Sequence, residues 1–120
     1  MVALFVLYMA CGAHGVDGRD CIATGKVESN FRTDAVSRVG CLGIGQVSPK
    51  WTPYPAWSLK TLIGGSLATA RAIANYRVRH GNNWPRWYCC KTSSARKGHR
   101  VCLDHERKVN RELRKMGVHR

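Results

Sequence analysis

The sequence predicts a mainly α-helical single domain. The longest periodic segment runs from Leu59 to His80 and places its apolar residues three or four positions apart, the spacing of a helix with one buried face. A second amphipathic segment, from Val101 to Met116, has apolar residues on one side and Arg and Lys on the other. The chain has 120 residues, enough for one hydrophobic core. We therefore expect one compact unit, residues 1–120, made of helices joined by loops.

The first thirteen residues form an almost unbroken apolar run with two interpretations. Small residues near the end of the run fit a signal peptide, but the basic residues that usually begin such a peptide are absent. The alternative, which we favour, is a first helix of the core. Cleavage near Ala13 would remove Cys11 and leave an odd number of cysteines. The run is shorter than the roughly 20 apolar residues needed to cross a bilayer, so we expect no transmembrane span.

Four further elements are predicted in the first half of the chain. Asp17 is placed to cap a short helix from Arg19 to Ser29, because its side chain can accept a hydrogen bond from the first turn. Residues 30–50 are rich in glycine. They predict a loop that leads, within this range, into a short helical segment from Leu42 to Val47. Two prolines predict a loop from Trp51 to Trp57.

The second half is predicted to contain three helices. Gly81 and the two asparagines after it should end the long helix. A short helix is expected from Trp84 to Cys90, starting near its proline, and a polar loop from Lys91 to Gly98. The final amphipathic helix then belongs to a basic C-terminal region, residues 91–120.

The charge of the chain points to a polyanionic partner. There are 20 Lys and Arg against 7 Asp and Glu, a formal net charge of +13. A field of this sign raises the rate of encounter with anionic polymers in a salt-dependent way. Cell walls, nucleic acid and acidic membranes all qualify, and charge does not choose among them. With 44% hydrophobic and 22% charged residues, the composition excludes wholesale disorder and a membrane bundle.

The chain has six cysteines, which is many for its length and indicates an oxidising compartment. A bond between the neighbours Cys89 and Cys90 would be strained, so the simplest pairing joins one of them to Cys102, although the connectivity stays open. His99 and His105 could complete a zinc site with these cysteines. Their spacing fits no strong zinc pattern, and we expect neither a metal nor another cofactor.

One stretch carries most of the functional information. It begins with Glu28 and Ser29 and ends at Pro49, and its pattern reads E-S-x-F-x-x-x-A-x-S-x-x-G-x-x-G-x-x-Q-x-x-P. This pattern resembles, without a gap, the signature of soluble lytic transglycosylases (the SLT family), which cut the glycan strands of bacterial peptidoglycan. Residues 62–65 and 80–84 look like the family's "N-I-x-x-G" and "Y-G-N-x-W" stretches, so the resemblance covers roughly residues 13–88.

The resemblance implies a lysozyme-like fold of short helices around a groove, and it makes Glu28 the general acid and then the base. Breaking a glycosidic bond requires a carboxylic acid that still holds its proton, and a desolvated groove favours that form. In this family a second carboxylate is dispensable, because the substrate's N-acetyl group assists and the sugar's 6-hydroxyl attacks to give a 1,6-anhydro product. Between Ser29 and Leu103 the only acidic residue is Asp34, which we expect to be a turn or cap residue. This scarcity favours transglycosylation over hydrolysis.

Further site residues follow from the same resemblance. Ser29 is expected to orient the acid, and Gln46 to line the groove and meet the sugar. Tyr88 is the nearest match to a tyrosine that many family members place against the acid, although its offset differs. Trp51 and Tyr54 are expected to stack on sugar rings. The glycines of the motif segment should serve backbone geometry: Gly40, Gly43 and Gly45.

The sequence therefore predicts a peptidoglycan-cleaving lytic transglycosylase that acts on the MurNAc–GlcNAc bond for local opening of the wall by a phage virion or a secretion apparatus. The expected partner is the glycan strand, and the expected location is the cell envelope, the periplasm or a virion. One alternative is a noncatalytic cationic protein of lysozyme-like fold that binds the wall or, less expected, nucleic acid. Another is a cationic antimicrobial protein that acts on membranes.

Overall fold

A computed structural model of the chain describes residues 2–88 and 100–120. In these two ranges the protein is mainly helical and has no strands, so the predicted mainly α class is confirmed. Predictions for the pairing of Cys89 or Cys90, for the loop from Lys91 to Gly98, and for His99 lie outside the described residues. The α-helices are α1 (Val2–Ala13), α2 (Gly18–Ser29), α3 (Ala56–Leu59), α4 (Leu62–His80), α5 (Trp84–Trp87) and α6 (Arg100–Lys115), with 3-10 turns at Pro49–Trp51 and Gly81–Asn83.

The apolar N-terminal run forms a helix that packs on the core. Helix α1 packs against both α2 and α4 and buries Leu7, Ala10 and Cys11. Cys11 forms a disulfide with Cys21 of α2, and their Cα atoms lie 6.0 Å apart. Within the described ranges, no helix combines the length and the apolar character that a membrane crossing requires.

Helix α2 begins and ends as the local sequence predicts. The Asp17 side chain caps its N-terminus by accepting a hydrogen bond of 2.9 Å from the main-chain N–H of Arg19. At the other end Asn30 and Phe31 have positive φ angles of 53° and 66°. The main-chain N–H of Phe31 then donates to the oxygen of Gly25 at 3.1 Å, which closes the helix. This end of α2 carries the motif glutamate.

The long helix starts three residues later than the periodicity alone indicates. Leu59 belongs to the short α3, and α4 begins at Leu62. Thr61 is extended and its hydroxyl accepts a hydrogen bond of 3.0 Å from the N–H of Gly64, so it is the N-cap. The predicted end is confirmed, since Gly81 follows the last helical residue with a φ of 57°.

The predicted helical segment from Leu42 to Val47 is wrong. These two residues instead face each other across an antiparallel bridge, with hydrogen bonds of 2.9 and 3.0 Å between their main chains. The reversal is built on positive φ angles of 80° at Gly43 and 52° at Gln46, which a right-handed helix excludes. Residues 40–47, which we call the motif loop, therefore form a tight turn over the start of α4.

The predicted loop from Trp51 to Trp57 is shorter than expected. Trp51 ends a 3-10 turn that starts at Pro49, and Ala56 and Trp57 already belong to α3. Of the two prolines that suggested a break, Pro53 lies in the remaining loop and Pro55 is the N-cap of α3, where a residue without an N–H leaves no helical hydrogen bond unmade.

Helix α6 covers a different part of the core from α1. Helix α6 packs against α2 and α5, and its Val109 and Leu113 are buried as the amphipathic pattern predicts. The same face also buries Cys102 and His105. A histidine in this position needs polar partners, and it finds one at the end of α2 and one in α5.

Candidate active site

Glu28 lies one residue before the end of α2, with its side chain only 6% exposed. Its Oε2 atom is 2.8 Å from Nε2 of His105, whose side chain is 9% exposed. A carboxyl group this deeply buried has lost most of its water and depends on protein partners for hydrogen bonding. The imidazole of α6 is therefore the main described polar contact of the motif glutamate.

The second ring nitrogen of His105 determines where the protons are. Nδ1 lies 2.9 Å from the main-chain oxygen of Pro85 in α5. A carbonyl oxygen only accepts hydrogen bonds, so Nδ1 must carry a hydrogen. The contact between Nε2 and the Glu28 carboxyl then needs a hydrogen of its own, carried either by the carboxyl or by an imidazolium. The geometry thus assigns at least one shared proton to the Glu28–His105 pair.

Tyr88 lies beside this pair. Its ring is parallel to that of His105, with 4° between the planes and 6.4 Å between the centroids. Its hydroxyl donates a hydrogen bond of 2.8 Å to the main-chain oxygen of Gly45. Burial raises the pKa of the Tyr88 phenol well above its ordinary value, and the charge of Glu28 raises it further. The hydroxyl is therefore a stable donor to the motif loop.

Ser29 and Gln46 hold the same loop. The Ser29 hydroxyl donates to the main-chain oxygen of Ile44 at 2.8 Å, which joins the end of α2 to the loop. The Gln46 amide donates to the oxygens of Ala35 and Gly43 at 3.2 and 3.0 Å. These bonds show bracing of the segment after Glu28. The predicted roles of both residues toward a sugar stay predictions.

The expectation for the motif glycines is confirmed. Gly40 and Gly43 have positive φ angles of 85° and 80°, which glycine adopts without a steric cost. Gly45 is needed for close approach, because a Cβ there would overlap the side chains of Thr69 and Tyr88. The loop therefore rests directly on α4 and on the end of α5.

The two predicted sugar-stacking aromatic residues have different surroundings. Trp51 is 78% exposed, so its ring is free to meet a ligand. Tyr54 is partly buried and packs against a small cluster made of Val47, Leu59 and Ala68. Trp57 is also exposed, at 72%. Of the predicted pair, Trp51 alone is a mainly solvent-facing ring.

Of the other acidic residues, all but Asp34 form ion pairs with Arg or Lys side chains. Asp34 is exposed and has no ion pair within the described ranges. The others are paired with basic side chains: Asp17 with Arg19, Asp20 with Arg77 and Arg120, Asp104 with Arg107, Glu106 with Arg86, and Glu112 with Lys115.

The described residues offer no metal site at the glutamate. They contain no group of three or more His, Cys, Asp or Glu side chains arranged to hold a metal ion. Both ring nitrogens of His105 are already hydrogen-bonded, so the imidazole has no free lone pair for zinc. A cavity of about 310 Å³ lies elsewhere, and none of the predicted site residues lines it. Its lining is Asn110, Leu113, Arg114, Val118, His119 and Arg120.

His105 is the site residue that sequence reasoning missed. The sequence placed it only in an unconvincing zinc group. Its position was readable in another way, because it lies four residues before Val109 and eight before Leu113, on the apolar face of α6. A histidine on a core face needs buried hydrogen-bond partners, and Glu28 was the acidic residue with the strongest functional signal.

Comparison of the chain with protein-family models and with curated proteins found no match.

Proposed function

We propose that this protein is a peptidoglycan lytic transglycosylase with a lysozyme-like fold, in which Glu28 is the general acid and then the general base. The observation that carries the proposal is the environment of the Glu28 carboxyl. Glu28 heads the motif Glu28 to Pro49, its side chain is 6% exposed, and its Oε2 atom lies 2.8 Å from Nε2 of His105. A carboxyl that is shielded from water and held in one place by a hydrogen-bond partner suits proton transfer to a glycosidic oxygen.

The proposed reaction consumes no water, because a hydroxyl of the substrate itself is the nucleophile. Glu28 gives its proton to the glycosidic oxygen as the bond from the anomeric carbon breaks, and the bond's electron pair stays on that oxygen. The 6-hydroxyl of the same sugar then attacks the anomeric carbon, and its proton returns to the Glu28 carboxylate. The products are a shortened glycan and a 1,6-anhydro end, and the enzyme regains its initial proton count.

The distribution of the other acids supports a mechanism with one carboxylate. A retaining or inverting hydrolase uses two carboxyl groups about 5 to 9.5 Å apart. Five of the seven acidic residues are held in ion pairs with Arg or Lys, and Asp34 is exposed. A substrate-assisted reaction does not need a second acid, so the scarcity favours the anhydro product.

The motif loop supports the same proposal by its rigidity. Ser29, Gln46 and Tyr88 each donate a hydrogen bond to a main-chain oxygen in or beside it, between 2.8 and 3.2 Å. A loop fixed at several points can hold a glycan in one orientation relative to Glu28. The exposed Trp51 ring is the proposed stacking platform for a sugar, and Tyr54, three residues further along the chain, is the second proposed aromatic contact.

The deciding experiment is product analysis on purified peptidoglycan. The wild-type protein should release muropeptides with 1,6-anhydro ends, detected by mass spectrometry. Glu28→Gln keeps the shape of the side chain but has no acidic proton, and it should lower the rate by about 100-fold to 10,000-fold. Asp34→Asn is the matched control, since it makes the same chemical change at an exposed acid and should leave the rate unchanged. Reducing ends in place of anhydro ends would reject transglycosylation, and no release by the wild-type protein would reject the enzyme.

The charge of the protein suggests how it would stay near its substrate. A net charge of +13 favours retention on the anionic polymers of a cell wall. We therefore extend the proposal to the cell envelope, and to a wall-opening component of a phage virion or of a secretion apparatus.

A second candidate function rests on the surface of α6. Lys108, Arg111 and Arg114 are exposed and have no ion pair with any described residue. A noncatalytic protein could use them to bind an anionic wall polymer or nucleic acid. Binding that persists in Glu28→Gln, falls with added salt, and is lost when these three residues are replaced by Ser would favour this candidate if no glycan product is found.

A further inference from the structure

We propose that His105 is a positioning residue for the acid: its imidazole, held by Pro85 through Nδ1, fixes the Glu28 carboxyl through Nε2 and pairs with the carboxylate left after proton transfer. This inference deepens the proposed function and rests on it. The imidazole comes from α6, and the acid from α2, so two helices that are far apart in sequence build one proton-sharing unit.

The imidazole is held by a hydrogen bond at each ring nitrogen. The Pro85 oxygen accepts from Nδ1 at 2.9 Å, and Pro85 is fully buried in the short helix α5. Arg86 and Glu106, the chain neighbours of Pro85 and His105, pair with each other at 3.0 Å and join α5 to α6 beside the ring. With Nδ1 bound to Pro85, the ring presents its Nε2 atom to Glu28.

The proton count of the pair decides how it can act. With a single shared proton, the hydrogen lies between Oε2 and Nε2 and is not directed at a sugar. With two protons, one is on Nε2 and donates to Oε2, and the other is on Oε1. Oε1 can then give that proton to the leaving oxygen, and the resulting carboxylate stays paired with Nε2–H. When the 6-hydroxyl attacks, its proton returns to Oε1, and His105 ends the cycle as it began.

Two substitutions separate the two hydrogen bonds of His105. In His105→Asn, the amide nitrogen occupies the place of Nδ1, so the bond to Pro85 is retained while the contact with Glu28 is lost. In His105→Gln, the longer amide reaches the place of Nε2 and can donate to the Glu28 carboxyl. We expect His105→Asn to lower kcat about 10-fold to 100-fold with little change in KM, since a misplaced acid loses rate and not substrate binding. We expect His105→Gln to recover a large part of that loss.

A purely structural role for His105 predicts a different pattern. Both variants would then lose folding stability, measured by urea denaturation, and their kcat values per folded molecule would equal that of the wild type. Equal kcat values for His105→Asn and the wild type would overturn the inference, and so would a failure of His105→Gln to exceed His105→Asn.

Nitrogen NMR of the labelled wild-type protein tests the pair without any assay of activity. Two-bond correlations between ring hydrogens and nitrogens distinguish the forms of an imidazole. The expected result is a His105 ring with hydrogens on both Nδ1 and Nε2, and a changed Nε2 signal in Glu28→Gln. A neutral ring, with its hydrogen on either nitrogen, would overturn this inference alone. Absence of glycan products from the wild-type protein, with both ring nitrogens protonated, would instead overturn the proposed function and with it the catalytic role of the pair.

Discussion

The hydroxyl of Tyr88 and the main-chain oxygen of Gly45 are joined by a hydrogen bond of 2.8 Å across 43 positions of sequence. The tyrosine is the residue after α5, and the glycine lies in the motif loop that follows the glutamate helix. Both are buried, so neither group has water as an alternative partner. This single contact connects the second half of the chain to the segment that frames Glu28.

Replacing Tyr88 with Phe should destabilise the protein by about 1–3 kcal/mol, because the buried Gly45 oxygen would lose its donor. The free energy of unfolding from urea denaturation measures this effect. Tyr54→Phe is the matched control, since no hydrogen bond of its hydroxyl is formed with the described residues. Equal stability of the two variants would show that the Tyr88 hydroxyl does not hold the loop.

Replacing Gly45 with Ala should destabilise the protein by about 1–3 kcal/mol through overpacking. The added methyl group would overlap the Thr69 and Tyr88 side chains, so the motif loop must move away from α4. Gly12→Ala in α1 is the control, because a Cβ there meets open space and helix propensity improves. Thermal denaturation of the two variants should shift in opposite directions, and a common shift would contradict the packing argument.

The buried Asp20 carboxylate should make Arg77 costly to remove. Asp20 is 0% exposed and lies 3.3 Å from Arg77 and 2.7 Å from Arg120. Arg77→Met leaves Asp20 with a single guanidinium partner and should cost about 1.5–3 kcal/mol. Arg107→Met, which breaks the exposed pair with Asp104, should cost about 0–1 kcal/mol. Adding Asp20→Asn to Arg77→Met should restore part of the loss, and a further loss would show that the buried charge is not the cause.

Asp17 should make the protein less stable in acid. The Arg19 side chain donates to this carboxyl and lowers its pKa from 3.8 to about 2. A pKa that is lower in the folded state contributes stability above the unfolded value, and that contribution is lost as the pH falls toward about 2. Asp17→Asn keeps a cap acceptor but cannot titrate, so its stability should fall less than that of the wild type over this range.

Protonation of Asp20 has the opposite effect on stability in acid, and Asp20 is present in both the wild type and Asp17→Asn. Burial raises the pKa of Asp20 more than its two guanidinium partners lower it, so the folded state binds a proton there more readily as the pH falls. The difference between wild type and Asp17→Asn removes this common effect. Parallel stability curves for the two proteins from about pH 5 to pH 2 would contradict the assignment to Asp17.

The sequence predicted the features that depend on neighbours in the chain. Asp17 caps α2 because the capping oxygen and the N–H it accepts from are two residues apart. Prediction from the sequence failed where a feature outside the local pattern determined the structure. Leu59 fits the periodicity of α4, but the cap at Thr61 separates it from that helix. His105 could not be paired with Glu28 from local patterns, because the two are separated by 77 positions and meet only through helix packing.

The error at the motif loop has a different cause. Leu42 and Val47 belong to a short apolar run that gives no clear distinction between a helix and a turn. The glycines decided the outcome, since Gly43 adopts a φ of 80° and the chain then reverses. Gln46 also has a positive φ, and its side chain donates hydrogen bonds to the main-chain oxygens of Ala35 and Gly43. Sequence alone gave no sign of that conformation.

The separation between Glu28 and His105 has a consequence during synthesis. The glutamate leaves the ribosome 77 residues before the imidazole that completes its hydrogen bond. A nascent chain, or one truncated ahead of α6, therefore holds the acid without its partner. Assembly of this unit is coupled to synthesis of α6, and the protein acquires its finished site only when that helix docks.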